Sequence, residues 1–154
     1  MVAHPADHAV RHRYGRRVAS CTFCAIAAGE LPGAVVLDEP DVMGFLDLRP
    51  VFPGHVLLVP RTHVETLPDL DPAQLPLLFG AAQRVAAAVL PALGADGTFV
   101  AMNNRVSQSV PHLHVHVVPR RFKDGLRGFF WPRQKYGSDQ AMQEIAASIR
   151  GHIL

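Results

Sequence analysis

The chain has 154 residues, 49% of them hydrophobic, and a formal charge of +2 with nine histidines left out of the count. That length suits one compact domain with a substantial core, and the composition is too apolar for a long disordered chain. So mild a charge balance argues against a protein that coats nucleic acid, which would present a dense basic face.

Basic residues gather at the start, where Arg11, Arg13, Arg16 and Arg17 lie among His4, His8 and His12. Residues 1–19 read as a flexible basic arm, either merely solvated or touching an anionic partner or a second subunit. The first twenty residues hold no uninterrupted hydrophobic segment ahead of a small-residue cleavage site. No apolar stretch reads as long enough to cross a membrane. The expected compartment is therefore the cytosol, with neither a membrane nor a nucleic acid as partner. Cys21 and Cys24 form a Cys-x-x-Cys pair, which in that setting reads as a metal or redox site rather than a structural disulfide.

The globular part is expected to begin near residue 20 and to run to residue 154 as one domain. Val35 to Asp38 and Val42 to Asp47 read as strands joined through Glu39-Pro40-Asp41. His55 to Val59 reads as a third, opened by Pro53-Gly54 and closed by Pro60. Asp71 then caps a helix with Pro72 at its first position. Leu75, Leu78, Phe79, Ala82, Val85, Ala86 and Val89 recur at helical spacing to about Leu90, and Pro91 and Gly94 end the run. Thr98 to Asn103 and Leu113 to Val118 read as further strands. A last helix from about Ser138 to Arg150 places Met142, Ile145, Ala146 and Ile149 on one face. This order implies an α+β fold: an antiparallel sheet of about five strands, the mid-chain helix covering one face, and a C-terminal helix. Gly125 to Arg133 is too aromatic for a solvated linker and reads as core or subunit interface, unless Trp131 or Arg133 reaches an active site.

The most informative stretch is Pro111-His112-Leu113-His114-Val115-His116-Val117-Val118-Pro119. Side chains on a strand alternate between faces. His112, His114 and His116 therefore project to one side, while Leu113, Val115 and Val117 project to the other and can pack under the helix. Same-face positions stand about 7 Å apart along a strand, so three such imidazoles seldom converge on one ion. Imidazole is, however, a capable nucleophile near neutral pH.

This alternation resembles the signature of the histidine-triad (HIT) family. Further segments match that family in order: Cys21-Thr22-Phe23-Cys24 with Gly29-Glu30-Leu31-Pro32, Phe45 to Pro50, Pro53 to Pro60, and Gln108-Ser109-Val110-Pro111 running into the triad. The resemblance spans roughly residues 21–120. It implies the HIT-like fold, a homodimer, and an enzyme that cleaves a purine nucleoside 5′-monophosphate from its leaving group. The leaving group would be that of a phosphoramidate, an adenylate or a dinucleoside polyphosphate.

By resemblance, His114 is the nucleophile that forms a nucleotidyl-histidine intermediate, its other ring nitrogen held by a backbone carbonyl. His116 contacts the phosphate and the bridging atom, and His55 supports His116. Gln108 and Ser109 hydrogen-bond the phosphate and leaving-group oxygens. Asp47 accepts from the ribose hydroxyls, Phe23, Phe45 and Leu48 form an apolar slot for the base, and Asn103 is a candidate nucleotide contact. Members that carry the two cysteines complete a structural zinc site with two histidines, here Cys21, Cys24, His63 and His112. The chain departs from the common pattern at Asn103-Asn104-Arg105-Val106-Ser107-Gln108, which is shorter and lacks glycine, and Arg105 adds a cation there. Two other functions stay open from sequence: a phosphorylase or transferase that passes the nucleotidyl group to phosphate, and a nucleotide-binding regulatory module with vestigial catalysis.

Overall fold

A computed structural model describes residues 21–126 and 134–153. Trp131, Arg133 and the basic arm lie outside the described residues. The chain divides into two compact units, one up to Phe122 and one from Lys123.

In the first unit, α1 (Thr22–Ala27) precedes β1 (Val35–Asp38), β2 (Val42–Leu46) and β3 (Val56–Pro60). Helix α2 (Leu75–Leu93), β4 (Gly97–Ala101) and β5 (Val115–Arg120) follow. The strands form one antiparallel sheet in the order β1-β2-β3-β5-β4. Because β5 inserts between β3 and the edge strand β4, the histidine-bearing segment is central and shielded on both sides.

Strict alternation divides the core. Val42 on β2, Val56 and Leu58 on β3, and Leu113, Val115 and Val117 before and along β5 form one cluster with Leu78, Ala81, Ala82, Val85 and Val89 of α2. The intervening residues Met43, Phe45, Leu57 and Val59 form a second cluster with Phe23 and Ile26 of α1 on the opposite face. Burying each large apolar side chain contributes about 1.5–3 kcal/mol, so both faces of the central strands are fixed and the register is strongly specified. Gly44 sits where β2 is crowded: a Cβ there would lie 2.8 Å from Leu58 Cδ2 and 3.1 Å from Leu37 Cβ.

Several expected boundaries shift. Asp71 caps a short 3-10 turn, Pro72–Gln74, by accepting from Ala73 N–H (2.9 Å), and the α-helix proper starts at Leu75. Pro91 does not end α2, which continues to Leu93 and stops at left-handed Gly94 (φ 59°). A proline this close to the C-terminus removes only one hydrogen bond of the last turn. Strand β4 ends at Ala101 because the chain then turns into an irregular loop, and the β5 ladder starts at Val115 rather than Leu113.

The membrane reading also needs correction. Pro72–Leu93 is 22 residues long and holds an 18-residue window of mean hydropathy 1.4, long and apolar enough by length and composition to span a bilayer. One face of this helix packs on the sheet, and Arg84 on it pairs with Glu39 Oε1 at 2.6 Å, as suits a helix laid on a protein core.

In the second unit, α3 (Asp139–Gly151) is capped by Ser138, whose Oγ accepts from Ala141 N–H at 3.0 Å. Its expected apolar face is present, with Met142, Ile145 and Ile149 exposed and Ala146 half-buried.

Gly54 adopts φ 95°, and a Cβ there would fall on Leu93 Cδ1 at the end of α2. The positive φ favours glycine, and a Cβ would also push the exposed Leu93 side chain aside. Gly54→Ala is expected to destabilise the protein by about 1–3 kcal/mol, measured by urea denaturation; an unchanged midpoint would show that the turn relaxes freely.

Candidate active site

The face of the sheet opposite α2 carries an open cleft with room of about 200 Å³. Its walls come from α1 (Thr22, Phe23, Ile26), the Pro32-Gly33 turn, Phe45 to Arg49, Leu57, Ser109, Val110, His114 and His116. Phe23 stands edge-on to Phe45 (centroids 5.4 Å apart) and to the His114 ring (5.2 Å), so these rings form a continuous apolar wall. Leu48 projects at the rim, 91% exposed. Phe23, Phe45, Asp47 and Leu48 thus meet in one place.

The triad rings differ in surroundings because only His116 lies within the β5 ladder, paired with Leu57 and Ala101. His112 and His114 lie in the extended segment before it, and both are buried. His114 Nδ1–H donates to His112 O at 2.6 Å. That bond fixes the tautomer, with the lone pair on Nε2. Among the described residues no buried side-chain nitrogen or oxygen lacks a partner. The unpartnered Nε2 must therefore be the atom that meets the cleft.

A second chain of bonds sets His116. Val51 N–H donates to His55 Nδ1 (3.2 Å), so the neutral His55 ring carries its proton on Nε2 and donates it to His116 Nδ1 at 2.9 Å. His116 then carries its own proton on Nε2, toward the cleft and beside His114, whose ring centroid is 4.8 Å away. Asp47 Oδ2 lies 3.6 Å from His55 Nδ1, but with Val51 N–H on that nitrogen this is a contact with a neutral ring, not an ion pair. Burial is the leading cause that lowers the His55 pKa, with Asp47 opposing and His114 adding to it. Burial, then His114 and His55, push His116 down to about 4. His55 and His116 are thus built to stay uncharged near neutral pH.

Behind the aromatic wall, Cys21, Cys24, His63 and His112 offer four donor atoms, all within 4.8 Å of one another. Cys21 Sγ lies 3.3 Å from His112 Nδ1, and Cys24 Sγ lies 3.3 Å from His63 Nδ1 and 3.5 Å from His112 Nδ1. Donors around tetrahedral zinc, with bonds of about 2.0–2.3 Å, are separated by about 3.3–3.8 Å, so the set fits. His112 Nε2–H donates to Pro60 O (2.8 Å), which leaves Nδ1 as the bare donor and orients it as metal-binding histidines are oriented. Burial first, then the neighbouring Cys21, push the Cys24 thiol up to about 11, the state of the pair before a cation draws off its protons.

Two expected contacts are turned elsewhere. Gln108 does not line the cleft: its Oε1 accepts from Arg105 N–H and its Nε2 donates to Glu65 O, both at 2.7 Å. Asn103 Nδ2 donates to Ser107 O at 3.2 Å and is likewise absent from the cleft wall. Ser109 does line it, and His55 lies behind His116. Sequence reasoning missed Arg49, Pro32 and Gly33. The signal for Arg49 was its place two residues beyond Asp47, whose Oδ1 accepts from Arg49 N–H at 2.9 Å.

The HIT domain profile matches residues 28–123. Among relatives, Protein hit of Bacillus subtilis is 33% identical over 135 residues, 84% of this chain and 92% of that protein. Adenosine 5′-monophosphoramidase HNT1 of Saccharomyces cerevisiae is 30% identical over 138 residues, 86% of this chain and 85% of that protein. Adenylylsulfatase HINT3 of Arabidopsis thaliana is 26% identical, covering 86% of this chain and 69% of that protein. A crystal structure of a HIT family member from Bacillus subtilis superposes with a TM-score of 0.79 at 31% identity, covering 87% of this chain and 97% of that one. A zinc-bound histidine triad protein from Mycobacterium smegmatis gives 0.67 at 34% identity, covering 87% and 98%. With the profile spanning more than half its length and relatives of this identity over most of it, the chain belongs to the HIT family.

Proposed function

We propose that this protein is a nucleotidyl hydrolase or transferase that cleaves a purine nucleoside 5′-monophosphate from its leaving group through a covalent intermediate on His114. The carrying observation is the pinned ring: Nδ1 is tied to the His112 carbonyl and the bare Nε2 meets the cleft. The relatives named as a phosphoramidase and an adenylylsulfatase support a nucleotide phosphorus as the target.

In this reading the base lies between Leu48 and the Phe23–Phe45 wall, and Asp47 accepts from the ribose. His114 Nε2 attacks phosphorus and the bond to the leaving group breaks. The Ser109 hydroxyl and His116 Nε2–H donate to the oxygens and the bridging atom where charge develops, a kind of stabilisation worth several powers of ten in rate. Water from the open cleft then hydrolyses the adduct. The proposal includes a homodimer, supported by exposed Leu77, Phe79, Leu90 and Leu93 on α2 and Val100 on the edge strand β4.

It also includes a structural zinc ion held by Cys21, Cys24, His63 and His112. The ion would pin the start of α1, which carries Phe23, to the strand that carries His114. Every ligand position is taken by protein, so no step of the reaction passes through it.

Three outcomes follow. His114→Ala should lower hydrolysis of an adenosine phosphoramidate by about 10³-fold or more and abolish any nucleotide adduct seen by mass spectrometry, while AMP still binds. Retained turnover would refute the nucleophile, and added inorganic phosphate that diverts the product would favour a phosphorylase. His55→Ala should free His116 to change tautomer and lower kcat by about 10–10²-fold. That loss should be largest with the poorest leaving groups, with KM little changed; a loss independent of leaving group would show that His55 only supports the fold. Purified protein should carry about one zinc per chain by elemental analysis, and Cys24→Ser should lose the metal and lower Tm. Metal-free wild type of unaltered Tm would exclude a structural role.

A further inference from the structure

Between β4 and the histidine segment the chain makes a short loop with two non-glycine residues in the left-handed region, Arg105 (φ 68°) and Ser107 (φ 58°). Such backbone persists only where the surroundings over-determine it. Here the loop is sewn to the segment that follows β3 at two places, and the histidine segment at a third. Leu67 N–H donates to Asn104 Oδ1, Gln108 Nε2 donates to Glu65 O, and Leu113 N–H donates to Val64 O, each at 2.7 Å.

Among the described residues, Gln108 alone joins both sides of the loop's own turn to the segment after β3. Its carboxamide oxygen accepts from the N–H of strained Arg105, and its nitrogen crosses to Glu65. A carboxamide turned to meet a phosphate would give up both bonds and leave the left-handed turn without its brace. The next residue, Ser109, reaches the cleft while Gln108 does not. The same segment after β3 carries His63, so one side chain joins the loop of Ser109 to the neighbourhood of the cysteine–histidine cluster.

We propose that Gln108 in this chain is a positioning residue: it clamps the 103–109 loop so that Ser109 faces the phosphate, and it does not itself touch the substrate. This rests on the nucleotide-cleaving reading above. It assigns the anion-binding work to Ser109 and His116, and makes the shortened, glycine-free loop the reason that the glutamine is used differently.

The test compares wild type, Gln108→Ala and Gln108→Glu as full chains. Calorimetry gives the ratio of adenosine to AMP dissociation constants, and amide exchange by NMR reports on Arg105. A carboxylate beside the phosphate would repel it, so a phosphate-contacting position predicts a ratio at least about tenfold lower in Gln108→Glu than in Gln108→Ala. The clamp predicts a ratio in Gln108→Glu no lower than about a third of that in Gln108→Ala. It further predicts Arg105 exchange about tenfold or more faster in Gln108→Ala, restored in large part by Gln108→Glu, whose carboxylate still accepts from Arg105 N–H. A collapsed ratio in Gln108→Glu, or Arg105 exchange unmoved in Gln108→Ala, overturns the proposal. A wild type that binds AMP no better than adenosine would instead sink the functional reading, and the exchange measurement would still decide the clamp.

Discussion

The alternation of side chains along one extended segment is the constraint from which the site follows. Leu113, Val115 and Val117 are fully buried in the cluster under α2, and that burial leaves the chain no freedom to rotate. His112, His114 and His116 must then stand on the opposite face. A slip of one residue would bury three imidazoles under α2 and expose three apolar side chains, a change far larger than the stability of a domain this size can absorb. The catalytic arrangement is thus held by the hydrophobic core on the far side of the sheet.

His112 shows how tightly the parts are joined. Its carbonyl holds His114 Nδ1, its Nδ1 meets the cysteines, and its Nε2 is bonded to the carbonyl of Pro60. The bonds to one residue therefore settle which nitrogen of the proposed nucleophile is free and where the end of α1 is attached. Phe23 lies between the two cysteines in sequence and against His114 in space, so the aromatic wall and the His114 ring share one anchor.

Much of this was legible in the sequence. The five strands, their antiparallel arrangement and the helix on one face follow from period-two and helical patterns strong enough to survive errors at the ends. Cys21, Cys24, His63 and His112 converge as the resemblance implies. What could not be read was set by tertiary bonds that no local pattern carries. Arg105 and Ser107 give no sign of left-handed backbone, because residue identity argues against it. The turning of Gln108 toward Glu65 depends on a partner 43 positions away, and a motif defined by neighbours in sequence cannot show it.

The electrostatics follow the same logic. Among the described residues that line the cleft, Asp47 is the one carboxylate and Arg49 the one permanent cation, so on that wall the two formal charges balance. An imidazolium has no lone pair with which to attack, and a cationic triad would bind phosphate firmly but could not react with it. Burial first, and then the neighbouring rings of His114 and His55, disfavour a proton on His116. Protonation is then controlled through single directed bonds, from Val51 N–H to His55 and on to His116, and from His114 to the His112 carbonyl. The site is organised around where each proton sits, and the backbone, which cannot titrate, makes that choice at both ends of the chain of rings.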